Sequence, residues 1–558
     1  MDIATPRRGA ALRIGDREIK IAFAVMAAVP LLTFVLYPLW AILKMSFVLD
    51  DGTWGFGNYA RYFADPSFVA VIGNSVAVSA AATVATIVIA YVFAYALHRS
   101  AMPYKGLWRL IVMLPLFAPS LVQGLGFQLL LGRNGLVNRT FGTGFDIYGF
   151  WGIFLSNTLY ALPQAILMLS AALAVADARL YESARMLGGS SWRIFWTVTL
   201  PATRYGLMSA IFVVFTIVIT DFGNPMVIGG DYGVLATEIY NQVSGQANFN
   251  LGAVIGMVLL LPAAIAVIVE RWVSRRQTAT ITAGSVPLTI APSRGFDAIM
   301  LGFVVLVCLG VIAVVGIVVF ASFVRLWPYD MSLTLLNYDV DVQGGYAPLW
   351  TSIWMSLLAA IVGVAVVTVA AYVVEKLANS FTRFLYFLSI LPAAVPGMVL
   401  GLGYIFAFND PANPIYLIYG TIVMLAVNTV YHYHAQAFLI ATTSLKQISA
   451  TFDEASTMLG GSFVMTMRKI TLPIVWPALI SLGVFFFMRA MVTLAAVIFL
   501  VSPDNNLAAV SILLLDDSGE TNQAAAFSTL IMLVVIGVLL LFHLLLRFFR
   551  VRDVSLIS

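Results

Sequence analysis

Charge is what this sequence has least of. Only 10% of its 558 residues are Asp, Glu, Lys or Arg, while 61% are hydrophobic and the mean hydropathy is +0.97. Soluble domains carry about a quarter charged residues, so a soluble globule is excluded. Cysteine is nearly absent too. The single Cys308 lies in an apolar run, which rules out disulfides, iron–sulfur clusters and multi-cysteine zinc sites. The lysines are Lys20, Lys44, Lys105, Lys376, Lys446 and Lys469, and none follows a glycine. A phosphate loop needs Gly-Lys-Ser/Thr to hold the phosphates, so this chain does not hydrolyse ATP by itself. No cluster of His, Asp and Glu marks a membrane-embedded catalytic centre.

Long apolar runs fill the space that charge leaves, for example 21–43, 69–97, 299–323 and 530–546. Crossing a bilayer as a helix takes roughly 20 such residues. Stretches such as "VAVSAAATVATIVIAYVFAYAL" do not alternate, so a transmembrane barrel is excluded. Hydropathy places about twelve spans, centred on Ala28, Ala81, Phe117, Leu162, Val214, Leu259, Ala313, Ala360, Pro396, Met424, Phe486 and Val535. With the N-terminus inside, only Lys44, Arg61, Arg133, Arg139, Arg325 and Arg489 of the 30 basic residues fall off the cytoplasmic side. The positive-inside rule therefore puts both termini in the cytoplasm. Basic residues are explained by this topology, so the net charge of +4 gives no reason to expect nucleic acid. The first run is long and lacks an evident small-residue cleavage site, and it is expected to stay as an anchor.

The runs repeat. "LPLFAPSLVQGLGF" (114–127) matches "LPAAVPGMVLGLGY" (391–404), and "NTLY" (157–160) matches "NTVY" (428–431). "YESARMLGGSSWRIFWTVTLP" (181–201) matches "DEASTMLGGSFVMTMRKITLP" (453–473). An even number of spans separates equivalent points, so the repeats run parallel about an axis along the membrane normal. The expected fold is all-α and polytopic, with two pseudo-symmetric six-helix halves, 1–280 and 281–558. They meet in the polar stretch 274–294.

Each copy of the polar phrase falls between the fourth and fifth spans of its half, on the cytoplasmic side. A helical segment, 177–187 or 449–459, ends at Gly-Gly, where Gly188 and Gly460 are expected to take a positive φ. Ser190 and Ser462 suit the cap of a second helix, which Pro201 and Pro473 are expected to break. Two short helices held rigidly outside the membrane suit docking into a groove. At these residues the chain resembles a family. Glu182-Ser183-Ala184, Gly188, Val198, Leu200 and Pro201 carry the spacing of the loop found in permease subunits of binding-protein-dependent ABC importers. So do Glu454-Ala455-Ser456, Gly460, Ile470, Leu472 and Pro473. Ser183, Ser456 and Val198 depart from the family pattern by small or conservative changes. The resemblance implies the MetI-like permease fold in a bacterial inner membrane, with a coupling helix in each loop. It also implies two copies of a cytoplasmic ABC ATPase, which carry the ATP and Mg, and a periplasmic or extracellular substrate-binding protein. No cofactor on this chain is implied. The fused form looks like ferric-iron-type and 2-aminoethylphosphonate-type permeases.

Charged residues deep in a span default to functional hypotheses, and two stand out: Asp221 and Arg489. Asp221 aligns with Thr493, four residues or about one helical turn after Arg489. Asp221, Asn224 and Arg489 are therefore candidates for the substrate path or its gate. A structural ion pair, or Asp221 capping a break at Gly223 and Pro225, stays open. The stretch 221–245 resembles ferric-iron-type permeases, although phosphonate- and sugar-phosphate-type relatives look similar there. Ferric iron is the expected cargo, with 2-aminoethylphosphonate, a sugar phosphate or a polyamine as alternatives. An ion-coupled secondary transporter is the rival class, and it predicts several intramembrane carboxylates where Asp221 is the one clear case. "YHYH" (431–434) suggests iron ligands, but His432 and His434 lie about 200° apart on a helix and cannot share a face. Packing is the preferred reading, and no metal site is expected. The acidic loops 50–65, 328–346 and 502–523 suit contact with a basic rim on the binding protein.

Overall fold

A computed structural model describes residues 16–174, 178–274, 292–340, 344–377 and 380–548. The junction 275–291, the terminal Arg7, Arg8, Arg13, Arg550 and Arg552, and Asp177 at the expected start of the first loop helix lie outside them. Among the described residues, the one sheet is a ribbon of Val324–Leu326 against Asp330–Leu333.

Helices lie at ten of the twelve expected centres, while Phe117 falls in a 3-10 turn and Pro396 at a break, each just before a helix. In the first half the helices are α1 (Arg17–Phe47), α2 (Pro66–Arg99), α3 (Leu121–Leu131), α4 (Phe150–Ala174), α5 (Ser191–Ile219) and α6 (Phe249–Ser274). The second half has α7 (Arg294–Ser322), α8 (Ala347–Lys376), α9 (Gly397–Phe408), α10 (Ile422–Lys446), α11 (Phe463–Met491) and α12 (Thr521–Phe548). Among the described residues, nine are long and apolar enough by length and composition to cross a membrane. Of the others, α10 has the length but carries Asn428, His432, His434 and Gln436 along it. The third and ninth spans are broken. Lys105–Val112 and a 3-10 turn, Leu114–Phe117, precede α3, and Ser380–Ile390 and Leu391–Ala394 precede α9 with a bend of 111°. Pro115 and Pro119 in one half, and Pro392 and Pro396 in the other, remove the donors a straight helix would need.

The halves interlock through their first helices. α1 packs on α8, α9 and Ser380–Ile390 of the second half, as well as on α6 of its own. α7 does the reverse, packing on α2, α3 and Lys105–Val112 as well as on α12. The repeated Gly-Leu-Gly is where this contact is made. A Cβ at Gly126 would stand 2.5 Å from the Val314 carbonyl oxygen of α7, and one at Gly403 would stand 2.8 Å from the Pro38 carbonyl oxygen of α1. The other glycine of each pair serves its own half. Gly124 N–H donates to Asn224 Oδ1 (2.8 Å), and a Cβ at Gly401 would meet the Ala496 carbonyl oxygen at 2.6 Å.

Candidate coupling loops and central cavity

Between α4 and α5 the chain forms a helix, Ala178–Met186, and turns at Gly188. Between α10 and α11 it forms Ala450–Met458 and turns at Gly460. Both glycines sit at φ +75°, a conformation that costs an L side chain about 1–2 kcal/mol. Ser190 Oγ accepts the Arg193 N–H and Ser462 Oγ accepts the Met465 N–H, each at 3.3 Å, so the expected caps form. The expected breaks at Pro201 and Pro473 do not. Each helix runs on through a π turn, Phe195–Thr199 or Met467–Thr471, in which the Leu200 or Leu472 N–H reaches five residues back to Phe195 or Met467. A π turn holds an extra residue, so the proline enters after the hydrogen-bond frame has already slipped.

Each loop presents an apolar pair at its tip. Met186, Met458 and Leu459 are each 89% exposed, and Leu187 is 86% exposed. Glu182 and Glu454 lie exposed behind them. Equivalent residues moor the loops to the preceding spans. At the end of α2, Arg99 donates to the Tyr181 hydroxyl (3.3 Å), which donates to Thr199 (3.1 Å). At the end of α8, Lys376 pairs with Asp453 (2.5 Å). Ser456, a departure from the family pattern, is buried and bonds to Thr466 (2.7 Å), joining the two arms of the second loop. In the first loop Ala184 and Ile194 hold those places, as an apolar pair.

A cavity of about 180 Å³ lies between the halves. Tyr160 and Gln164 of α4 line it with the end of α5, facing His432, Tyr433 and Gln436 of α10 and the end of α11. Asp221 and Arg489 are both on its wall, contributed by opposite halves, and so are their counterparts Thr493 and Ile217. No ion pair joins the two among the described residues. The Asp221 carboxylate accepts the Asn224 N–H (3.1 Å) in the first turn of the short helix Gly223–Ile228. Arg489 lies over the rings of Tyr433 (5.7 Å) and Phe485 (5.8 Å). His432 Nδ1 is buried without a hydrogen-bond partner among the described residues. Among the described residues, no three His, Cys, Asp or Glu side chains gather closely enough to hold a metal ion.

Residues 86–279 match the model of the binding-protein-dependent transport system inner membrane components. Over 504 residues the chain is 31% identical to FbpB 1 of Haemophilus influenzae, whose name is that of a ferric transport system permease. That match covers 88% of this chain and 79% of the relative. The ferric transport system permease protein FbpB of Actinobacillus pleuropneumoniae is 31% identical over 488 residues, covering 84% and 70%. This chain belongs to the binding-protein-dependent transport permeases. It is the membrane-spanning component of an ABC importer. A shorter relative, the spermidine/putrescine transport system permease protein PotB of Haemophilus influenzae, is 29% identical over 270 residues. The match takes in 92% of that protein but 44% of this permease. One half here thus corresponds to nearly a whole permease there.

Within the permease, the loop residues Glu182, Ser183, Ala184, Gly188, Glu454, Ala455, Ser456 and Gly460 fall on two matching helix–turn units. Leu200, Pro201, Leu472 and Pro473 follow directly on the π turns. Asp221 and Arg489 share one cavity, whereas Asn224 does not line it. Asn224 is fully buried, donates to Asn157 Oδ1 (2.9 Å) and accepts from Gly124, so it ties the break after α5 to α3 and α4. Asn428, the counterpart of Asn157, donates to the Ala496 carbonyl and makes the same tie in the second half. His434 stacks between Tyr431 and Phe438 inside the fold, away from the His432 face. Two features were missed from the sequence. The Met-Leu tips stood inside the repeated phrase, and Gln164 and Gln436 lie 272 positions apart on the cavity wall.

Proposed function

We propose that the permease passes ferric iron, received from an extracytoplasmic binding protein, through the cavity between its halves. The observation that carries the cargo is the 31% identity, over most of both chains, to two permeases named for ferric transport. The path reading rests on Asp221 and Arg489 reaching one cavity from opposite halves. Two copies of an ATPase seat the Met186-Leu187 and Met458-Leu459 tips in their grooves, with the loops and both termini on the cytoplasmic side. ATP-driven closure of those subunits moves the loops and alternates access to the cavity. The acidic loops at the opposite end receive the binding protein.

Metal analysis and mass spectrometry of the ligand carried by the cognate binding protein test the cargo. Bound iron supports the proposal, and an organic phosphonate or polyamine refutes it. Uptake measured for Asp221→Asn and Arg489→Gln tests the path. We expect at least a tenfold loss for each, and normal uptake in both would place the path elsewhere.

A further inference from the structure

A groove of about 860 Å³ opens between the end of α6 and the helix Ser380–Ile390 that leads into the break before α9. Its walls are apolar. Ile268, Tyr386, Phe387 and Ile390 line it, with Ile268 and Phe387 66% and 64% exposed. Its rim is basic, with Arg271 in the last turn of α6 and Arg383 in the first turn of the facing helix. Both lie at the end of the molecule that carries Lys376 and the coupling loops. Arg383 is exposed and has no ion pair among the described residues. Arg271 is half-buried, and its Nε stands 3.4 Å from the Glu270 carboxylate beside it in the same turn.

We propose that this groove holds one anionic phospholipid, its phosphate between Arg271 and Arg383 and an acyl chain along Ile268, Phe387 and Ile390. A trough of exposed apolar side chains within a bilayer is filled by lipid tails. The two arginines then select the charge, as basic pockets between spans on the cytoplasmic side do. The guanidinium fork matches phosphate oxygens, and Trp272 on the rim suits headgroup depth. The groove also backs onto the cavity across a single turn. Leu391 and Ala394 face the groove, while Pro392, Ala393, Val395 and Pro396 face the cavity. A bound lipid therefore braces that wall from behind. This last consequence rests on the cavity being the path, whereas lipid binding does not.

Native mass spectrometry of the intact permease tests the site, after exchange into micelles holding equal phosphatidylglycerol and phosphatidylcholine. One phosphatidylglycerol is expected to remain bound in preference. Retention should fall about fivefold for Arg383→Gln and about 25-fold when Arg271→Gln is added, from about 1 kcal/mol per basic residue at an anionic lipid surface. Ile268→Trp, which fills the trough and leaves both arginines, should displace either lipid. Equal retention of the two lipids, or unchanged retention in the double variant, overturns the proposal. Displacement by inorganic phosphate as effective as by phosphatidylglycerol overturns it as well. Retention is read without transport, so a failure of the path reading at Asp221 leaves this result intact.

Discussion

At Gly126 and Gly403 a missing Cβ decides how closely one half can approach the other. A methyl group there meets backbone, which cannot swing aside as a side chain does. Gly403→Ala should destabilise the permease by about 1–3 kcal/mol, the usual cost of overpacking, read as a lower unfolding midpoint in detergent. Gly310→Ala, with nothing within 4 Å of its added Cβ, should leave the midpoint unchanged. The Gly-Leu-Gly repeat was visible in the sequence, but its reason was not, because the opposing carbonyl belongs to a helix almost two hundred residues away in one case and more than three hundred in the other. Asn224 shows the same limit. Its place beside Asp221 suggested the path, and only its hydrogen bonds to Gly124 and Asn157 reveal that it is spent on holding the break.

The loop helices act as elements, and their chemistry was the most legible part of the chain. Stop, turn and cap are all local, and Gly188, Gly460, Ser190 and Ser462 behave as their residue types dictate. Pro201 and Pro473 do not, since the rule that proline ends a helix assumes an α frame that the π turns have already left. Burying a Met or Leu contributes about 1.5–3 kcal/mol, so Leu187→Asp or Leu459→Asp should weaken ATPase association by at least tenfold. The tips are bare, so folding should be spared, and co-purification of the ATPase with the permease measures the effect. At the mooring, a double-mutant cycle on Lys376→Met and Asp453→Asn should give a coupling of about 1 kcal/mol, since the pair is only partly shielded from water. A coupling near zero would show that the pair does not hold the loop.

At the scale of the whole molecule, each half lends its first helix to the other. Segments 1–280 and 281–558, produced as two chains in one cell, should co-purify as a stable pair, while either alone should be recovered poorly. Recovery of well-behaved single halves would contradict the interlock. Orientation can be read by thiol labelling at introduced cysteines, because the native Cys308 is buried in α7. Cysteines placed at Gly188 and Gly460 should react from the cytoplasmic side. The repeat made the pairing of halves legible. The crossing of α1 and α7 was not, since apolar helices of this kind carry no sequence mark of the neighbour they choose.

The cavity wall holds one more consequence. Asp221 faces a cavity whose equivalent position across the axis is Thr493, and Arg489 has Ile217 as its equivalent. A pore assembled from two identical subunits would have to present two aspartates or two arginines together, with their mutual repulsion. Joining the halves in one polypeptide removes that obligation. Each half is then free to differ from the other, and the cavity carries a carboxylate from one half and a guanidinium from the other.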